Sequence, residues 1–278
     1  MQGIDVVAAL LSALLPAGWN AAVKASPDPA RAMTAQMLTG ALLLLPLLLW
    51  TGLPAAAAWP WIAVSTAVNL VIVSAMLRAY ELAGFALVFP VMRAIGVMLV
   101  VPLAGWVAGE RLGTAALAGV VAIALAVGML ALDAARDRSL GLAALGFTLL
   151  AGCGTALYIL ADAQGVRASG DALAYGIVVS ATNALAMCWR RRADGPPWIQ
   201  LRGYWLASLP VALASMASYL LILWVWTRAP IAPAAALRDT SAVFAILIAV
   251  FVLKERLTNV RIAALVVTVA AIPLLRLG

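Results

Sequence analysis

A chain of 278 residues that is 66% hydrophobic and only 10% charged does not have the makeup of a water-soluble domain, which is about half apolar and about a quarter charged. Its net charge of +7 would suggest nucleic acid in a soluble chain; here it reads as basic loops that orient a membrane protein, so no nucleic-acid partner is expected. The chain has no histidine, and its two cysteines, Cys153 and Cys188, sit in separate apolar runs without CxxC spacing. That excludes a zinc site and a disulfide scaffold, so neither metal nor cofactor is expected and both cysteines read as small buried apolar side chains.

Ten apolar segments are predicted as helices, at 4–24, 31–50, 58–80, 85–107, 113–132, 139–161, 171–190, 203–227, 231–253 and 258–277. Each is close to the roughly 20 residues that span a bilayer. The first holds Trp19 and Asn20 well inside it and shows no convincing cleavage pattern, so no removable signal is expected. "KASPDPAR" leads into the second segment and "TGLPAAAAWP" into the third, which ends at Tyr80 with Glu81 as a solvated cap. The fourth carries Arg93 within "FPVMR" and closes on Gly105 and Gly109, a GxxxG read as helix packing. "GERL" opens the fifth, its acidic residue favoured by the helix dipole. After "DAARDRS" the sixth carries Gly152, Gly154, Thr155 and Tyr158. "RRRADGPPWIQLRG" separates the seventh from the eighth, which carries Tyr219. The ninth places Arg238 beside Asp239, and "KERL" opens the tenth. Barrel strands would need polar–apolar alternation over about ten residues, and none is seen.

The chain repeats itself. A shift of 145 residues lays Arg93 on Arg238 and Glu110, Arg111, Leu112 on Glu255, Arg256, Leu257, with 11 identities in the 46 pairs of 87–132 against 232–277. The repeat unit is five segments. An odd number inverts the second copy in the membrane, a common plan of secondary transporters. The expected architecture is therefore all-α: ten transmembrane helices in two inverted five-helix repeats, 1–137 and 138–278, around a central cavity. Of the 18 Lys and Arg, 12 fall in loops on one side, 4 on the other side with both termini, and 2 are embedded. The positive-inside rule then puts both termini outside the cytoplasm. Seven tryptophans (Trp50, Trp59, Trp61, Trp106, Trp189, Trp198 and Trp205) lie at or near segment ends, as an interfacial belt requires.

Catalysis finds no support. Without histidine there is no Ser-His-Asp or Cys-His pair, and no phosphate-binding loop is present. Embedded polar groups remain. Arg93, Arg238 and Asp239 are the sharpest, since an ionisable residue inside a membrane faces a cavity or a partner. An arginine fork suits a carboxylate; the same residues also suit a buried ion pair that ties the halves together. Trp19, Asn20, Tyr80, Tyr158 and Tyr219 are softer candidates for the cavity wall, with Thr155 beside them.

These features resemble the EamA-type transporters of the drug/metabolite transporter superfamily: "WNAAVK" in the first segment, "FPVMR" in the fourth, "ALRDTS" in the ninth, and the paired "GERL" and "KERL". The resemblance implies alternating access through a central cavity and export of small metabolites, with amino-acid exporters of the YddG kind as the nearest branch. Two features depart from the pattern. Members usually keep both termini in the cytoplasm, and the small multidrug-resistance relatives bind cations at a glutamate in the first helix, where this chain has only Asp5. The expectation is a bacterial inner-membrane exporter of amino acids that can work as a monomer in the lipid bilayer. A cationic-drug exporter and a membrane-embedded lipid enzyme are the alternatives.

Overall fold

The computed structural model describes residues 1–83, 85–135, 141–241, 243–244 and 258–275, without the side chains of residues 21, 85–87, 90, 134–135 and 261. Its helices are α1 (Gly3–Ala25), α2 (Pro29–Leu44), α3 (Leu48–Thr51), α4 (Trp59–Ala83), α5 (Phe85–Ala108), α6 (Thr114–Ala135), α7 (Leu142–Ser169), α8 (Ala172–Arg190), α9 (Pro197–Leu201), α10 (Trp205–Trp226), α11 (Ile231–Asp239) and α12 (Asn259–Leu274). Among the described residues, 8 spans are long and apolar enough to cross a membrane, so the chain is a multi-pass membrane protein. The helix α12 contributes a shorter apolar stretch, Ile262–Leu274. The helix α11 opens the predicted ninth segment. Residue 242, residues 245–253 and "KERL" lie outside the described residues, as do Arg136, Arg138 and Arg276.

Three local expectations are corrected. The second segment is not one helix: it breaks into a 3-10 turn at Leu45–Leu47 before α3. Pro46 sits in that turn, has no N–H to donate, and its ring crowds the preceding turn. The sixth segment does not stop at 161 but runs to Ser169 and ends at Gly170, whose φ of 74° is the left-handed helix stop. Gly109 does not pack helices. It follows α5 with a φ of 64°, and the Glu110 N–H returns to the Ala104 carbonyl at 3.4 Å, so it ends α5.

Packing places α7 against both α4 and α5, α1 against α10, α2 against α8 and α10, and α6 against α12. The helix α11 lies between α1, α5 and α6. Glycines permit the closest approaches. A Cβ on Gly152 would stand 2.7 Å from Ile95 of α5, and one on Gly154 2.7 Å from Ile72 of α4. Cys188 is buried, but Cys153 is exposed on α7, so only one of the two cysteines is a buried apolar filler.

The helix ends form two faces. On the amino-terminal face, Asp5 pairs with Arg228 at 3.4 Å and Glu110 with Arg167 at 3.1 Å. On the arginine-rich face, Asp28 caps α2 by accepting the Arg31 N–H at 2.9 Å and pairs with Arg191 at 3.4 Å. Burial pushes the Asp28 carboxyl up, but the Arg31 N–H and then Arg191 outweigh it and hold it below its ordinary value. Of the predicted belt, Trp50, Trp59 and Trp106 are exposed on the first face and Trp189, Trp198 and Trp205 on the second. Indole rings suit the two membrane–water interfaces.

Candidate functional site

A cavity of about 160 Å³ lies among the spanning helices. Trp19 and Asn20 of α1 line it five to six residues from the Ala25 end. Met33, Gln36 and Met37 come from the start of α2, and Met92 and Arg93 from the start of α5. Asn69, Ile72, Val73 and Met76 come from α4, and Thr155, Tyr158 and Ile159 from the middle of α7. Ser180 and Asn183 of α8, Ser215, Met216 and Tyr219 of α10, and Arg238 of α11 complete the wall. The cavity thus runs from mid-membrane toward the arginine-rich face.

Six of the eight residues expected in the site meet here: Trp19, Asn20, Arg93, Tyr158, Tyr219 and Arg238. Tyr80 and Asp239 do not line the cavity. Tyr80 is buried near the end of α4, where its carbonyl accepts from Lys24 Nζ at 3.1 Å. Asp239 is 1% exposed and accepts from Arg93 Nη1 at 2.8 Å. The two readings of the embedded charges are therefore divided between the arginines. Arg93 spends its charge on a buried ion pair from α5 to α11, and stacks over Phe89 at 5.3 Å. Arg238 lines the cavity, interacts with the Tyr158 hydroxyl and has no salt bridge among the described residues; its Nε, like that of Arg93, finds no hydrogen-bond partner among them. A desolvated guanidinium donor without an acceptor is costly unless a ligand supplies one.

The rest of the wall offers two kinds of surface. Met33, Met37, Met76, Met92 and Met216 are polarizable and flexible, and they adapt to apolar groups of varied shape. Asn20, Asn69, Asn183 and Gln36 are amides that donate or accept. The Asn20 and Asn183 Oδ1 atoms are buried without a partner among the described residues. The described lining contains no carboxylate. Tyr158 and Tyr219 stack at 6.4 Å between ring centroids and floor the cavity.

Behind that floor lies a residue the sequence reading passed over. Asp162 is 0% exposed on α7 and accepts from Tyr219 at 2.8 Å and from Tyr175 at 3.0 Å. Ending the sixth helix at 161 turned this aspartate into a loop residue. The missed signal is that "ADAQGVRAS" holds no proline and can continue the helix. Gly165, which looks like a breaker, instead seats the Tyr175 ring, whose hydroxyl an added Cβ would overlap. The amides and methionines were missed for another reason: singly, each looks like ordinary helix packing.

Residues 142–277 match the EamA-like transporter family. No curated protein matches the chain. A crystal structure of another protein superposes with a TM-score of 0.73, covering 99% of this chain and 97% of that chain at 20% identity. At that identity the likeness establishes a shared fold over the full length.

Proposed function

We propose that the whole chain, beyond the EamA-like segment at 142–277, is a secondary transporter that exports small amphipathic metabolites, amino acids foremost, by alternating access. The observation that carries this reading is Arg238: a guanidinium without a salt bridge among the described residues, on the wall of an intramembrane cavity. The substrate carboxylate takes the Arg238 fork. The ammonium meets the free Oδ1 atoms of Asn20 and Asn183 and the face of Trp19. The methionines receive the side chain. The placement of α1 on α10 and of α7 on α4 supports two inverted halves, 1–137 and 138–278, that rock about the site. The loop charges support an inner membrane with both termini outside the cytoplasm. A cationic-drug reading is disfavoured because no carboxylate lines the described cavity, and a lipid enzyme because the chain lacks histidine.

Counterflow in liposomes tests the proposal. Vesicles holding purified protein and unlabelled amino acid should take up radiolabelled amino acid saturably. Arg238→Ala should cut that uptake about tenfold or more, the scale of losing one charge-assisted contact. Uptake by the variant at the wild-type rate would remove the carboxylate role; no amino acid taken up by wild type would remove the substrate class.

A further inference from the structure

An ionised carboxylate inside a membrane normally has a cation beside it. Asp239 has Arg93. Asp162 has no salt bridge among the described residues; its two oxygens rest on the Tyr219 and Tyr175 hydroxyls. The groups that face it can be followed helix by helix. The helix α4 brings the Ser65 hydroxyl, α8 brings Tyr175 and α10 brings Tyr219. Its own helix brings Tyr158, whose hydroxyl interacts with Asp162 on one side and with Arg238 of α11 on the other. The helix α5 carries Arg93, already committed to Asp239. Along α7, Asp162 is one turn past Tyr158 and seven residues before the Ser169 end, roughly 10 Å at 1.5 Å per residue. It stands beyond the cavity floor, on the side of the amino-terminal face.

We propose that Asp162 is the proton-binding residue of the transport cycle, exchanging its proton with the cavity through Tyr219. This rests on the transporter reading above. In the loading step, a hydronium in the cavity gives a proton to the Tyr219 oxygen and becomes water. The original Tyr219 O–H bond breaks as its proton moves to Asp162 Oδ2. Tyrosine is unchanged, and the carboxylate becomes a neutral acid. Ionised Asp162 adds an attractive field for the substrate ammonium held at Asn20 and Asn183, and protonated Asp162 does not. Proton and substrate therefore alternate, which is exchange. A site beyond the floor, reached from the cavity by one hydroxyl, suits a cycle that loads from one face and releases to the other.

Two measurements decide the matter. Vesicles made acidic inside and diluted into neutral buffer should accumulate labelled amino acid about tenfold faster than vesicles without the gradient. Asp162→Asn should lose that acceleration, and the gradient-free counterflow it retains should no longer change with pH. Wild-type counterflow with no response to the gradient would overturn the proton role and leave the transporter standing. Absence of both would strike the substrate class first, and the second measurement then stands alone. Infrared difference spectra of wild type in detergent, titrated from mildly acid to mildly alkaline, should show a protonated-carboxyl band that Asp162→Asn removes and Tyr219→Phe shifts. If no band responds to these substitutions, Asp162 binds no exchangeable proton. The Tyr219→Phe comparison serves even if Asp162→Asn fails to fold.

Discussion

Arg93 and Arg238 fall on each other in the sequence repeat, yet the fold gives them different work. Arg93 Nη1 is 2.8 Å from Asp239 Oδ1, and the two residues are 8% and 1% exposed. Removing one partner of such a pair leaves an uncompensated buried charge, which costs about 3–5 kcal/mol. Arg93→Ala is therefore expected to lower the melting temperature in detergent markedly. Arg238→Ala breaks no salt bridge among the described residues and should melt close to wild type. Thermal unfolding of both variants checks this, and equal melting would mean that the ion pair does not hold α5 to α11. The charges themselves were legible as embedded. Which arginine would be neutralised was not, because the answer depends on Asp239 reaching across to α5, and a sequence gives no distances between helices.

Glycine shows what can be read at the level of one helix against another. Gly152 and Gly154 read correctly as close-packing positions, since small residues among large apolar ones mark a helix contact in a membrane. An added methyl at Gly152 would meet Ile95 Cβ at 2.7 Å and the Met92 carbonyl at 3.1 Å. Neither can swing away as a side-chain tip would. Gly152→Ala is expected to destabilise the protein by about 1–3 kcal/mol through overpacking of α7 on α5. Gly18 has nothing within 4 Å of its Cβ position among the described residues; Gly18→Ala removes a glycine from a helix interior and should be neutral, or stabilising by up to about 1 kcal/mol. Denaturation of the two variants side by side measures the contrast. Gly109 is the opposite case, because a glycine can end a helix as well as pack one, and a spacing pattern does not separate the two.

Across the whole molecule, the amino-terminal face is drawn together by Glu110. Its two oxygens each accept the Ile231 N–H at 2.8 Å, so it caps α11 and not the helix that "GERL" precedes in sequence. The same carboxylate binds Arg167, which also donates to the Trp226 and Ala229 carbonyls at 2.9 Å. One side chain thus joins the ends of α5, α7 and α10 to the start of the helix that carries Arg238. Glu110→Gln should weaken this closure and shift the population toward a state open on that face. With Cys153 and Cys188 replaced, a cysteine at Ser215 should react with a water-soluble maleimide from the amino-terminal face several-fold faster in Glu110→Gln. An unchanged rate would show that Glu110 stabilises α11 without gating the cavity.

Composition and run length determined the solvent and the helical class, because an apolar chain in lipid must satisfy its backbone within helices. They also marked Arg93, Arg238 and Asp239, because a charge is conspicuous where nearly everything else is apolar. The tertiary structure decided the pairing of Arg93 with Asp239, the place of Arg238 on the cavity wall, the wall of amides and methionines, and the burial of Asp162 behind two tyrosines. Those depend on which faces of distant helices meet, and hydrophobic periodicity constrains each helix alone.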